Sequence, residues 1–129
     1  MPCSLRFEGP LVLFRFSGAV TAAEIADAVN TVAAHPCFDE QRYHIADCRD
    51  ARMPALDDAL LLAMAPVIGA TLTNRALTTI LVPDSEGTRA FAQHCRPMFR
   101  HLRLHFAPDL ETAMEWMQEQ TVTAFPRIT

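Results

Sequence analysis

Residues 43–73, YHIADCRDARMPALDDALLLAMAPVIGATLT, contain the pattern that decides the fold. Residues 43–47 have the short apolar run of a strand that is covered on both faces, and a six-residue turn region is predicted after them. Pro54 suits the first position of a helix, and the last fifteen residues of that helix, 59–73, carry no charge. A helix that is apolar on every side is buried all round, or it covers a partner, a ligand or lipid. The stretch therefore predicts a strand, a turn and a helix that offers a binding surface.

The chain has the size and composition of one globular domain. Its 129 residues are 50% hydrophobic and 20% charged, which is ordinary for a folded soluble protein. We assign residues 1–129 to a single domain, with a core over residues 3–119 and a tail over residues 120–129. The net charge of −4 argues against nucleic-acid binding by general electrostatics.

The basic residues are all arginine. There are eleven of them and no lysine, so a Walker P-loop, a pyridoxal Schiff base and a lysine general base are excluded. No cofactor is predicted.

The sequence carries no targeting pattern and no redox motif. Its start lacks the basic and then apolar pattern of a signal peptide, and no window reaches the roughly 18 apolar residues of a membrane span. We therefore expect a cytoplasmic protein without stable membrane insertion. The cysteines show neither C-x-x-C spacing nor the paired spacing of a zinc site, so reduced thiols and no metal site are predicted. They are Cys3, Cys37, Cys48 and Cys95.

Turn and periodicity signals give the element order β-β-α-β-α-β-α-β-α. An opening hairpin followed by alternating strands and helices predicts an α/β sandwich with a mixed, mostly parallel sheet of about five strands and about four helices. The predicted strands are residues 3–8, 11–17, 43–47, 76–82 and 103–107, and the predicted helices begin near Thr21, Pro54, Glu86 and Asp109. Thr21 with Glu24 predicts a capping box for the first helix. Asp109 is predicted to cap the last helix, whose apolar face consists of Leu110, Ala113, Met114 and Met117.

Three segments carry a family resemblance. They are the hairpin SLRFEGPLVLFRFSGAVTAAE (residues 4–24), the acid-ended strand YHIADCRD (43–50) and the closing RLHFAPDLETAMEWM (103–117). Across residues 3–119 the chain resembles the SpoIIAA-like family, bacterial proteins of the STAS superfamily whose fold is related to lipid-transfer modules of the Sec14 type. The resemblance implies a STAS-like sheet, a homodimer and no established catalysis.

The sequence departs from this family at one functional position. The anti-sigma-factor antagonists of the superfamily carry a phosphorylatable Ser near the start of the helix after the central strand. Here that region, residues 52–61, reads RMPALDDALL and has neither Ser nor Thr. A kinase-operated switch at this place is therefore not expected. Asp57 and Asp58 are better explained by compensation of the helix dipole than as charged counterparts of a phosphoserine.

The end of the predicted central strand is the first candidate site, because open α/β sheets bind ligands beyond the carboxyl ends of their strands. One functional interpretation is that nearby arginines support a thiolate at Cys48. Another is that the uncapped start of the following helix holds an anion. The favoured interpretation is a buried small residue with charges that cap turns. His44 is about 13 Å along the strand from Cys48 and cannot activate it, so no catalytic residue is predicted. The candidates are Asp47, Cys48, Arg49, Asp50 and Arg52.

A second candidate is a basic patch formed by Arg89, Arg96 and Arg100. It would suit an anionic lipid or an acidic partner. The favoured alternative is a solvated face that pairs with the acids of the last helix.

The third candidate is the apolar helix over residues 54–72, whose large side chains are too many for one sheet to cover. The surplus would contact a second subunit, a partner or an apolar ligand, although burial under the following helix competes equally. Its candidate contact residues are Leu61, Leu62, Met64 and Ile68.

Three hypotheses about function follow. The first is a non-enzymatic STAS-like binding or regulatory module, dimeric, acting through protein–protein contacts of the apolar helix. The second is a carrier or sensor of a lipid-like or other apolar ligand. The third is a small thiol-based enzyme or redox sensor that uses Cys48.

Overall fold

A computed structural model shows one mixed sheet with helices on both faces. It describes residues 3–52, 54, 62, 69, 72–74, 76–83, 89–90, 93 and 103–124. The strands are β1 (Cys3–Glu8), β2 (Leu11–Ala19), β3 (Tyr43–Arg52), β4 (Thr78–Pro83) and β5 (Arg103–Phe106). The helices with defined bounds are α1 (Ala22–Ala33) and α2 (Leu110–Ala124), and a 3₁₀ turn spans Phe38–Glu40.

The strands lie in the sheet in their sequence order, β1-β2-β3-β4-β5. β1 and β2 are antiparallel, and every later pair is parallel. The hairpin turns at Gly9 and Pro10, where Gly9 has a φ of 57°, a conformation that glycine adopts without steric cost. The predicted five-stranded, mostly parallel sheet with an opening hairpin is confirmed, and β3 is its central strand.

Helix α1 covers one face of the sheet. Its predicted capping box is present: the Thr21 side chain accepts a hydrogen bond from the Glu24 backbone N–H at 3.2 Å, and Glu24 Oε1 accepts one from the Thr21 N–H at 2.9 Å. Full burial of one aliphatic side chain is worth about 1.5–3 kcal/mol, so its apolar stripe anchors the helix. The stripe and the β2 side chains in the same core cluster are Ile25, Ala28, Val32, Val12, Phe14 and Phe16.

Helix α2 covers the opposite face. The backbone N–H of Thr112 donates to Asp109 Oδ1 at 2.7 Å, so Asp109 caps this helix as predicted. Its side chains join a second core cluster that contains Leu11, Ile45, Ile80 and Val82. The predicted helix stripe is confirmed and consists of Leu110, Ala113, Met114 and Met117.

The prediction of about four helices is met only in part, since two helices have bounds within the described ranges. Most residues of the predicted second and third helices, near residues 54–73 and 86–102, lie outside the described residues. The described positions Leu62, Gly69, Arg89, Ala90 and Gln93 have helical backbone.

Several predicted boundaries differ from the structure, and two of the differences are large. The tail expected from residue 120 begins too early, because α2 continues to Ala124; nothing interrupts a helix before Pro126. The six-residue turn after residue 47 is also wrong, since β3 continues to Arg52. Strand β2 runs two residues further than predicted and gives that extension a partner, pairing Gly18 with Ala51 and Ala19 with Arg52.

Candidate functional site

An irregularity in the β2–β3 ladder determines which side chains share a face at the carboxyl end of β3. Arg15 pairs with Asp47, but Ser17 pairs with Asp50, so β3 carries one residue more than β2 over this interval, as in a β-bulge. Cys48 and Ala51, three residues apart, are both buried in the α1-side core. Asp50 and Arg52 are therefore directed to the opposite face, which is also the face of Asp47.

Asp47 is the centre of this arrangement. Its side chain is only 5% exposed, and both of its carboxylate oxygens accept hydrogen bonds from Arg49, from Nε at 2.9 Å and from Nη2 at 2.9 Å. Arg15 Nε lies 3.6 Å from Asp47 Oδ2 on the neighbouring strand. The side-chain hydrogen bonds from Arg49 lower the pKa of Asp47 and outweigh the opposing effect of burial. A bidentate pair of this kind fixes the direction of the guanidinium as well as its charge.

The start of α2 contributes a further acid to the same region. The carboxylates of Asp47, Asp50 and Asp109 all raise the pKa of Arg49, with the hydrogen bond to Asp47 as the largest cause. The Thr112 backbone N–H is the main reason that the pKa of Asp109 is lowered. We call Arg15, Asp47, Arg49, Asp50 and Asp109 the charge cluster.

Cys48 is separated from this cluster. Its side chain has no exposed surface and belongs to the core on the α1 side, whereas Asp47 and the exposed Arg52 lie on the other face. The arginines proposed to support a Cys48 thiolate therefore do not face its sulfur. The sequence-based thiol hypothesis thus lacks the geometry it assumed.

A buried polar group lies at the opposite end of β3. His44 Nε2 is 2.7 Å from Gln41 Oε1, which is a hydrogen-bond distance. Asn74 Nδ2 donates to the carbonyl oxygens of Phe38 and Gln41, at 2.8 Å each. Burial lowers the pKa of His44 to about 4, so this histidine is neutral at physiological pH, and its contact with Gln41 joins β3 to the residues before it.

The predicted apolar surface is described at few positions. Leu62 is 78% exposed and Leu72 is 42% exposed. Leu61, Met64 and Ile68 lie outside the described residues. Leu62 therefore lies at the surface and is not a core residue.

The predicted basic patch is also described only in part. The guanidinium carbon of Arg89 lies 4.9 Å from the centre of the Phe106 ring, which is a cation–π distance. Arg96 and Arg100 lie outside the described residues. Arg89 therefore contacts the sheet through its side chain as well as carrying a charge.

Sequence reasoning placed Asp47, Arg49 and Asp50 near one another but missed Arg15 and Asp109. The signal for Arg15 was its position in β2, where it continues the alternation of Leu11 and Leu13 toward the carboxyl end. Asp109 was predicted only as a helix cap. That Asp109 lies near Arg49 depends on how α2 packs on the sheet, which the sequence does not show.

Within the described residues, neither a metal-binding cluster nor a membrane-spanning helix is present. These residues contain no group of three or more His, Cys, Asp or Glu side chains placed to hold a metal ion. They also contain no helix of the length and hydropathy that crossing a membrane requires.

The fold is that of the anti-sigma factor antagonist SpoIIAA. Over 92% of this chain and 97% of the other, it matches the unphosphorylated anti-sigma factor antagonist SpoIIAA with a TM-score of 0.61 and 12% sequence identity. This likeness confirms the fold that the sequence resemblance predicted.

Other matches are weaker. A structure described as Mglu matches at TM-score 0.38 and 14% identity, over 83% of this chain and 19% of that one. The enoyl-CoA hydratase subunit I of Geobacillus kaustophilus HTA426 matches at TM-score 0.42 and 12% identity, over 98% and 76%. No protein-family model matches the sequence, and no curated protein sequence matches it.

Proposed function

We propose that this chain is a non-enzymatic STAS-like regulatory module that binds a protein partner, or a second copy of itself, through the apolar segment at residues 54–72 and the adjoining end of β3. The observation that carries the proposal is the 78% exposure of Leu62 in a chain with the fold of SpoIIAA, which is described as an anti-sigma factor antagonist. When a partner covers an exposed leucine, its apolar surface is removed from water, and this favours binding.

The charge cluster supports binding rather than catalysis. The carboxylate of Asp47 is held by two hydrogen bonds from Arg49 and by Arg15, and its lowered pKa keeps it ionised. A general acid or base works best with a pKa near the operating pH, and Asp47 has moved away from it. The arginines remain partly exposed, at 57% for Arg15 and 39% for Arg49, and therefore accessible to a partner.

The test compares Leu62→Asp with Gln118→Asp, which places the same side chain on an exposed helical position of α2. Light scattering after size exclusion, over a range of concentrations, measures self-association. Affinity capture from a lysate of the source organism, followed by titration of the purified captured protein, measures a partner. We expect Leu62→Asp to weaken one of these associations at least tenfold and Gln118→Asp to leave both unchanged. A monomer that retains no partner, or an association that Leu62→Asp does not weaken, would contradict the proposal.

A further inference from the structure

The outer edge of β1 is an open sheet edge. β1 is the first strand in the sheet order and pairs only with β2 within the described residues. The two-residue turn closes on the pair Glu8 with Leu11, which is hydrogen-bonded in hairpins of this length. By alternation along the strand, the backbone N–H and C=O of Leu5 and Phe7 point away from β2 to the outer edge. The backbone N–H and C=O groups of Leu5 and Phe7 are therefore available to pair with another strand.

A groove lies beside this edge, on the α1 face. It has a volume of about 530 Å³, and its residues are Cys3, Ser4, Leu5, Glu24, Asp27, Ala28 and Thr31. Phe7, which alternates with Leu5 on the same face of β1, is 41% exposed and stacks on His35 at 4.5 Å between ring centres. The side of β1 that faces α1 therefore offers apolar contact along the strand.

The wall of the groove is acidic. Glu24 uses Oε1 in the capping box, and the side chain of Asp27 is exposed. Neither acid forms an ion pair with a basic side chain in the described part of the chain. No residue of the groove is basic, so an occupant with a positive charge complements it.

The charge of the groove decides between two occupants. A second copy that paired β1 with β1 on the same face would set the acids of one α1 opposite those of the other, and like charges oppose that contact. An extended segment without its own helix avoids this repulsion and fits beside the edge at the ordinary strand spacing of about 4.8 Å.

We propose that the β1 edge and the β1–α1 groove bind an extended segment of a partner protein as a sixth strand, with alternate apolar residues over Leu5 and Phe7 and an Arg or Lys at Asp27 and Glu24. Main-chain hydrogen bonds give such an addition its affinity, and every second side chain gives it specificity. The site lies on the α1 face, whereas the charge cluster lies on the α2 face, so the two surfaces are separate.

The probes are random heptapeptides displayed on phage and selected against the whole protein. We expect the selected peptides to carry apolar residues and an Arg or Lys at every second position, because these side chains share the strand face that meets the groove. A selected peptide, labelled with fluorescein, is then titrated by fluorescence polarisation. Asp27→Lys should weaken its binding at least tenfold, and the matched change Asp39→Lys, at an exposed acid outside the groove, should leave it within twofold.

A backbone variant tests strand addition directly. Phe7→Pro removes the outward N–H, and Phe7→Ala keeps it while removing the same ring. We expect Phe7→Pro to weaken the peptide at least fivefold more than Phe7→Ala, with both variants folded by circular dichroism. If Phe7→Pro does not fold, Asp27→Lys and Asp39→Lys decide alone.

Three results would overturn the proposal: no selected peptide binds, binding does not distinguish these variants, or light scattering shows a dimer that Asp27→Lys strengthens. Leu62→Asp should not change the affinity of the peptide, so failure here is distinguishable from failure of the proposed function.

Discussion

Asp47 and Arg49, two residues apart on β3, form a bidentate pair in which both carboxylate oxygens accept hydrogen bonds from the guanidinium at 2.9 Å. The acid is nearly buried, with 5% of its side chain exposed, and the arginine is partly exposed. The pair is therefore asymmetric. Loss of the arginine leaves a buried charge, whereas loss of the acid leaves an arginine that water solvates.

Removal of Arg49 should make the protein more sensitive to acid. The lowered folded-state pKa of Asp47 contributes stability that is present above the unfolded-state value near 3.9 and is lost as the pH falls through the folded-state value. In Arg49→Leu the carboxylate loses both guanidinium hydrogen bonds and retains the backbone N–H of residue 49, at 3.3 Å, and Arg15, at 3.6 Å, so its pKa is less depressed. We expect the midpoint of acid unfolding to move to higher pH, as measured by circular dichroism.

A matched control separates this effect from the loss of any surface arginine. Arg6→Leu removes an ion pair with Glu8 in which both side chains are exposed, and such pairs contribute about 0–1 kcal/mol. Asp47→Asn should cost about 1–3 kcal/mol, and the double variant with Arg49→Leu should cost less than the two single changes added together. Equal acid midpoints for Arg49→Leu and Arg6→Leu would contradict the assigned role of the pair.

His44 should give stability a pH dependence between pH 6.5 and 4. Burial lowers its pKa from 6.5 to about 4, so in this window the unfolded chain binds a proton that the folded chain does not. Stability therefore falls as the pH falls, by about 3 kcal/mol over the whole window. We expect His44→Gln to flatten the slope of unfolding free energy against pH, measured by urea denaturation at each pH.

The comparison for His44 is His105→Gln. His105 is exposed and contacts Trp116 at 4.4 Å between ring centres. Its replacement therefore removes a histidine and a ring contact but leaves the buried His44 in place. The wild-type slope should persist in this variant. A slope that His44→Gln leaves unchanged would show that other groups cause the pH dependence.

The capping box of α1 is a further test, because the two partners satisfy one backbone N–H each. Thr21→Ala should lower the unfolding free energy by about 1 kcal/mol. Thr21→Ser retains the accepting oxygen and should recover most of that loss. Equal losses in Thr21→Ala and Thr21→Ser, by urea denaturation, would mean that the hydroxyl does not stabilise the helix.

The fold was predictable because its determinants are local. The bounds of β1 follow from the alternation of Leu5 and Phe7 and from the turn at Gly9, and the start of α1 follows from Thr21 and Glu24. Short-range patterns of this kind do not depend on what the rest of the chain does.

The candidate site was predictable only in part, because its geometry comes from pairing between strands. The sequence predicts that β2 ends at Gly18. In the structure Gly18, with a φ of 68°, lies within the strand, and residues 17–19 pair with residues 50–52. The bulge then places Cys48 on one face and Asp50 on the other. No single-strand pattern contains this information, since the register belongs to two strands at once.

Asn74 should couple the end of the apolar segment to the turn before β3. Its Nδ2 donates to the carbonyl oxygens of Phe38 and Gln41 at 2.8 Å each, and the residue is 5% exposed. Asn74→Ala leaves both buried acceptors without this donor and should cost about 1–3 kcal/mol. Asn74→Asp keeps the shape of the side chain but sets a carboxylate against two carbonyl oxygens, so at pH 7 we expect it to cost more than the alanine change.

The pH dependence of Asn74→Asp gives this prediction its sign. Protonation lets the introduced acid donate one hydrogen bond, so its folded-state pKa should lie above the unfolded-state value near 3.9. Its destabilisation relative to Asn74→Ala should then shrink as the pH falls toward 4 and grow as the pH rises. Asn30→Asp, at an exposed position of α1, introduces the same group without facing buried carbonyls and should show no such trend in urea denaturation. If Asn74→Asp follows Asn30→Asp at every pH, the amide of Asn74 does not hold the turn to β3.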